Sequence, residues 1–131
     1  MTSIISKPKI EISPSLLTEL EAQIHEAGQV IVHCIIRNVA SQGMYMRIWP
    51  STDLNDQHSS HSSELIHAEN ICYYPSWQEM KIGDNYFTLV FAGLPKSCTI
   101  FDLVERCNGN MGAFHIMNIP RNESDVYYAQ L

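Results

Sequence analysis

From Gln29 onward the chain alternates apolar and polar residues with a period of two. Clusters of Gly, Pro, Asn and Ser interrupt that alternation every few residues. A period of two is the signature of β-strands, and an α-helix cannot sustain it. QVIVHCIIRN (29–38) is apolar on both sides, with Val30, Val32, Cys34 and Ile36 against Ile31, His33 and Ile35. This reads as a strand covered on both faces or central in its sheet. After Ser41-Gln42-Gly43, MYMRIW sets Tyr45 and Arg47 against Met46 and Ile48 in a half-buried strand. LIHAENICYYP carries β-pattern to Pro75, and in YFTLVF the residues Phe87, Leu89 and Phe91 share a face. Gly93-Leu94-Pro95-Lys96 breaks the ladder before Thr99, Phe101, Leu103 and Glu105 form the next face. Asn108-Gly109-Asn110 is a turn, followed by AFHIMNI and DVYYAQL on either side of Pro120-Arg121-Asn122.

Seven or eight short strands at this spacing predict an all-β fold, an antiparallel β-sandwich of immunoglobulin-like architecture. The βα alternation of a parallel sheet is missing. At 131 residues the chain suits one domain over 1–131, with 1–15 as a flexible arm. Residues 16–27 are open. Leu16, Leu17, Leu20 and Ile24 fit a short N-terminal helix, with Ser13 as N-cap, Pro14 at the first helical position and Gly28 past its end. Leu20, Ala22 and Ile24 fit strand alternation as well, and a hairpin onto 29–38 favours the strand.

FTLVFAGLPKSCTIFDLVE, with RIWPSTDL, LIHAENICYYPSW and NIPRNESDVY, resembles a pattern in small uncharacterised bacterial domains with an immunoglobulin-like sandwich. The likeness spans roughly residues 44–128. It implies the fold and brings no catalytic or binding residues with it.

Composition narrows the function classes. Fourteen acidic against eight basic residues give a net charge of -6, the wrong sign for a nucleic-acid partner. No apolar run reaches the roughly 18 residues of a membrane helix. The N-terminus has no unbroken apolar stretch like that of a secretory signal. Four isolated cysteines without a C-x-x-C pair suit a reducing compartment. A cytoplasmic protein is therefore expected.

Residues 50–64 read as the longest loop. His58 and His61 lie there, with Asp53 and Asp56 upstream and His67 downstream. Imidazole and carboxylate suit a divalent transition metal. The spacing matches no strong zinc pattern, and a solvated loop is the preferred reading. His33 and Cys34 are adjacent in a strand, so their side chains diverge and form no nucleophile–base pair. Cys34, Cys72 and Cys98 read as inert buried thiols. Among the carboxylates Glu64, Glu69, Asp102 and Glu105, Asp102 reads as solvated or turn-bonding. Glu105 and Arg106 read as surface contacts of little energetic weight. Nucleophile-elbow, P-loop and dinucleotide-binding glycine patterns do not occur.

The aromatic residues remain. Trp49, Tyr74, Trp77 and Tyr127 are the candidates for an interaction face, since Tyr and Trp are favoured where one side is apolar and the other wet. The expected function is a non-enzymatic binding or accessory module without cofactor. Its expected partner is another protein or a second copy of itself in a homo-dimer. The alternatives are a metal-binding protein or hydrolase using His58, His61 and Asp53, and a small-ligand or carbohydrate binder using Trp49 or Trp77.

Overall fold

The structure, a computed structural model, describes residues 3–4, 28–108 and 110–131. The helix-or-strand question over 16–27 and the expected arm over 1–15 fall outside the described residues, apart from the backbone of Ser3–Ile4. Among the described residues there is no helix. The described residues form ten strands, in chain order β1 (Ser3–Ile4), β2 (Val30–Val39), β3 (Tyr45–Met46), β4 (Asp53–Asp56), β5 (Ser62–Glu69), β6 (Gln78–Glu79), β7 (Gly83–Phe91), β8 (Ile100–Cys107), β9 (Asn110–Pro120) and β10 (Val126–Gln130).

Eight strands form one sheet in the order β1-β10-β2-β7-β5-β4-β8-β9, and β3 pairs with β6 in a small separate ladder. The all-β expectation holds. The expectation of antiparallel pairing throughout does not, because β10 runs parallel to β2, with Tyr128 opposite His33. A parallel neighbour requires a crossover rather than a hairpin. Here the whole stretch 40–125 separates β2 from β10, and its last link, 121–125, carries the chain from the edge strand β9 to the place beside β2. The sheet is mixed, and it curls until β8 and β9 face β2, β7 and β10. Phe87 of β7 meets Phe114 of β9 with centroids 5.6 Å apart, and Phe101 of β8 stands edge-on to Tyr127 of β10 at 5.1 Å.

The core lies inside this curl. Val30, Val32, Cys34, Leu54, Phe87, Leu89, Phe91, Phe101, Leu103, Ile116, Ile119 and Ala129 are all at most 2% exposed. They occupy alternate positions along β2, β7 and β8, as the period of two requires, whereas Ile116 and Ile119 of β9 stand three apart, where its pairing with β8 shifts register. β2 is central, between β10 and β7, and is buried on its reverse face too. There Ile31 packs with Val90 and Val126. His33 shares a hydrogen bond of 2.9 Å between Nδ1 and Thr88 Oγ1 and stacks on Tyr128.

The long loop expected over 50–64 is instead two strand segments, 53–56 and 62–64, joined by a short turn. Leu54 is fully buried, and β4 pairs with both β5 and β8. The Asp56 carboxylate accepts the His58 amide at 3.0 Å and the Ser59 hydroxyl at 2.7 Å. This side-chain turn shortens the true connection to residues 57–61. The β-pattern expected to reach Pro75 ends at Glu69, where Asn70 turns with a φ of 63°.

Candidate functional site

The small β3–β6 ladder carries the site. Residues 44–49 are zipped against 72–80 by backbone bonds. Ile48 N donates to Cys72 O, Tyr74 N to Ile48 O, and Met80 N to Met44 O, each within 2.8–2.9 Å. Alternation sends Met46 and Ile48 into the core. Tyr45, Arg47 and Trp49 therefore share the other side, and all three line one cavity.

Tyr74 and Trp77 reach the same place from the irregular segment after β5. The Trp49 and Tyr74 rings stack at 3.8 Å, inclined by 16°. The Arg47 guanidinium lies over Trp77 at 3.8 Å, over Tyr74 at 4.7 Å and over Trp49 at 5.9 Å. A cation over ring faces is attracted by their quadrupoles. Arg47 therefore ties together rings from two chain segments. The cavity beside this cluster holds about 380 Å³ and reaches Glu105, Cys107 and Phe114 of the β8–β9 hairpin. A second hollow of about 420 Å³ opens between Tyr45 and Trp77, which are 51% and 55% exposed.

Glu105 forms part of the wall. It was expected at the surface, but it is 3% exposed. One carboxylate oxygen accepts the Trp49 amide at 3.2 Å, and the other accepts the Phe114 amide at 3.3 Å. These two amides satisfy a buried carboxylate that would otherwise be costly. Gly112 leaves it room, because a Cβ there would lie 2.3 Å from Glu105 Oε1 and 2.8 Å from Cys107 Sγ. The Cys107 thiol is pushed above its ordinary pKa by burial, with Glu105 adding to the effect. It thus stays protonated at neutral pH and supplies no ready nucleophile.

The remaining candidates do not come together. His61 bonds Ser63 Oγ at 2.8 Å, and His67 pairs with Glu69 at 2.9 Å. His58 is exposed on the 57–61 turn. Asp53 pairs with Arg106 at 3.3 Å. Among the described residues no group of three or more His, Cys, Asp or Glu is placed to hold a metal ion. Tyr127, expected on an interaction face, is 3% exposed and belongs to the core. Its hydroxyl donates to Asp125 Oδ1 and accepts the Asn122 amide, each at 3.0 Å. Cys34 and Cys98 are buried thiols, whereas Cys72 is half-buried and donates to Gln78 Oε1 at 3.6 Å. Asp102 accepts from Gln57 Nε2 and from the Asn118 amide, both at 2.8 Å.

Of the four aromatic candidates, Trp49, Tyr74 and Trp77 converge. Arg47 was not among the candidates and sits at the centre of the cluster. The signal for it was present, since Tyr45, Arg47 and Trp49 follow one another at alternate positions of a half-buried strand. Comparison with family models, with curated proteins and with solved structures gives no match.

Proposed function

We propose that the protein is a binding module without catalytic machinery that takes a segment of a partner protein into the aromatic cleft. One observation carries this reading. Among the described residues, the large apolar side chains left exposed are Met44, Tyr45, Ile66, Tyr74, Trp77, Ile82, Met111 and Met117. Four of these eight, Met44, Tyr45, Tyr74 and Trp77, belong to or adjoin the β3–β6 ladder. Exposed apolar side chains gathered around a hollow are typical of recognition surfaces, whereas scattered ones are ordinary. The four unpaired cysteines suit a reducing interior, and a bacterial cytoplasm is the setting we propose. The immunoglobulin-like resemblance read from the sequence, a statement about architecture, belongs to the same proposal.

A peptide array probed with the natural protein and with Trp77→Ala tests the reading. Peptides retained by the first and lost by the second are the expected result. An array that retains nothing, or retains the same peptides on both proteins, overturns it.

A second copy of the chain is the other partner to consider. Among the described residues β9 is an 11-residue strand at the edge of the sheet, and its Met111 and Met117 are exposed. An open edge of that length is a template for pairing. Sedimentation velocity over a concentration series is expected to show a dimer that Met117→Lys abolishes, and a lone monomer throughout discards this variant.

A further inference from the structure

We infer that the cleft is specific for a peptide segment carrying a carboxylate beside a large apolar side chain, and that Arg47 is the residue that reads the carboxylate. The inference rests on the reading of the cleft as a peptide site and adds the chemistry of its occupant.

Among the described residues the ion pairs within 4.0 Å are His67–Glu69, Arg106–Asp53 and Arg121–Asp125. Arg47 is in none of them. A guanidinium has five N–H donors in a fixed fork, and the hydrogen bond Arg47 makes is a long one of 3.4 Å from Nη1 to Pro75 O. The rings of Trp77 and Tyr74 hold the group in place and shield it from part of its water. A held, partly dehydrated fork with spare donors is the arrangement that suits bidentate binding of a carboxylate. Its position explains the apolar half of the ligand. Tyr45 and Trp77, the two rings of the second hollow, also line the cavity that Arg47 lines, so a side chain next to the bound carboxylate meets an aromatic wall.

Glu105 is the negative group facing the same cavity. Both its oxygens are taken by the Trp49 and Phe114 amides, and it lies beyond ion-pair distance of Arg47. It shapes the wall and leaves the guanidinium without an ion-pair partner.

The test uses the protein's own fluorescence. Its two tryptophans, Trp49 and Trp77, both belong to the cleft, so any change in emission reports the site. Three probes are titrated: N-acetylphenylalanine, its neutral amide, and cationic phenylalaninamide. The acid is expected to bind at least about tenfold more tightly than the neutral amide, the margin of a charge-assisted bidentate contact. Arg47→Gln is expected to erase that preference. Arg47→Lys keeps charge and stem without the fork, and is expected to retain only part of it. Trp77→Ala is expected to weaken all binding. Circular dichroism confirms that each variant folds, and Arg47→Lys serves alone if Arg47→Gln does not.

Equal binding of acid and amide, lost in Trp77→Ala, overturns the carboxylate inference and leaves the cleft reading standing. Preference for the cationic probe overturns it in favour of Glu105 as the reader. If no small probe saturates, the array peptides decide. A retained set without acidic residues beside large apolar ones overturns the inference, and an empty array overturns both readings.

Discussion

His33 is an imidazole held neutral in an apolar layer, and its environment makes it a pH-dependent liability. Burial on the reverse face of β2 lowers its pKa from 6.5 to about 4. The unfolded chain therefore takes up a proton before the folded one as pH falls. The contribution of this group is complete above pH 6.5 and is lost as pH drops toward 4, by roughly 3 kcal/mol in all. Urea unfolding at a series of pH values is expected to show that loss, with a flatter profile in His33→Gln. A second residue-scale prediction concerns the cavity wall. Gly112→Ala would press a methyl group onto Glu105 and Cys107, at a cost of about 1–3 kcal/mol. Glu105→Leu would leave the Trp49 and Phe114 amides without their acceptor, at about 2–4 kcal/mol for the pair. Both are read as shifts of the urea midpoint, and an unchanged midpoint contradicts them. Alternation alone placed Glu105 on the inward face with Phe101 and Leu103. Its charge argued for the surface, and what decides is Gly112 across the hairpin. That pairing is a contact between two strands, which no local period encodes.

At the scale of elements, the two arginine ion pairs differ in setting and so in weight. Arg121 crosses from the β9–β10 connection to the β7–β8 connection. Its Nη2 meets Asp125 Oδ2 at 2.9 Å, and its Nη1 donates to Pro95 O at 2.8 Å and Cys98 O at 3.3 Å. Asp125 also accepts the Tyr127 hydroxyl, and both side chains of the pair are under one-fifth exposed. Removing one partner leaves the other charge uncompensated and shielded from water, so Asp125→Ala is expected to cost about 2–4 kcal/mol. Arg106 is 44% exposed against Asp53, and Arg106→Ala is expected to cost less than about 1 kcal/mol. Thermal unfolding of the two variants side by side checks the order. The strands themselves were largely legible. β2, β7, β8 and β10 lie where their alternating apolar residues put them, and β9 covers its expected stretch although its buried Ile116 and Ile119 break the alternation. The segment over 50–64 was not, because its polar composition resembles a loop. One buried leucine and the Asp56 turn convert it into β4 and the start of β5. The parallel place of β10 was also hidden, since strand direction within a sheet depends on how the long connection from β2 returns, and β3 to β9 lie between.

At the scale of the molecule, half of the cleft was readable and half was not. Tyr45, Arg47 and Trp49 form a face by simple alternation. Tyr74 read as the end of a strand that in fact stops at Glu69, Trp77 lies beyond the pattern, and only the backbone bonds of residues 72–80 to 44–48 bring them in. One consequence belongs to β5. Its first residues, Ser62–Glu64, bond to β4, and its later ones, Leu65–Glu69, bond to β7. The same eight residues thus serve the half of the sheet built on β2 and the half built on β8. Stripping away either half leaves β5 with an open seam and the opposing apolar wall wet. The polypeptide therefore has no stable half-molecule to pause in. Tryptophan emission and backbone amide exchange should report a single, coincident melting event, and two separate transitions would show that the seam is weaker than its position demands.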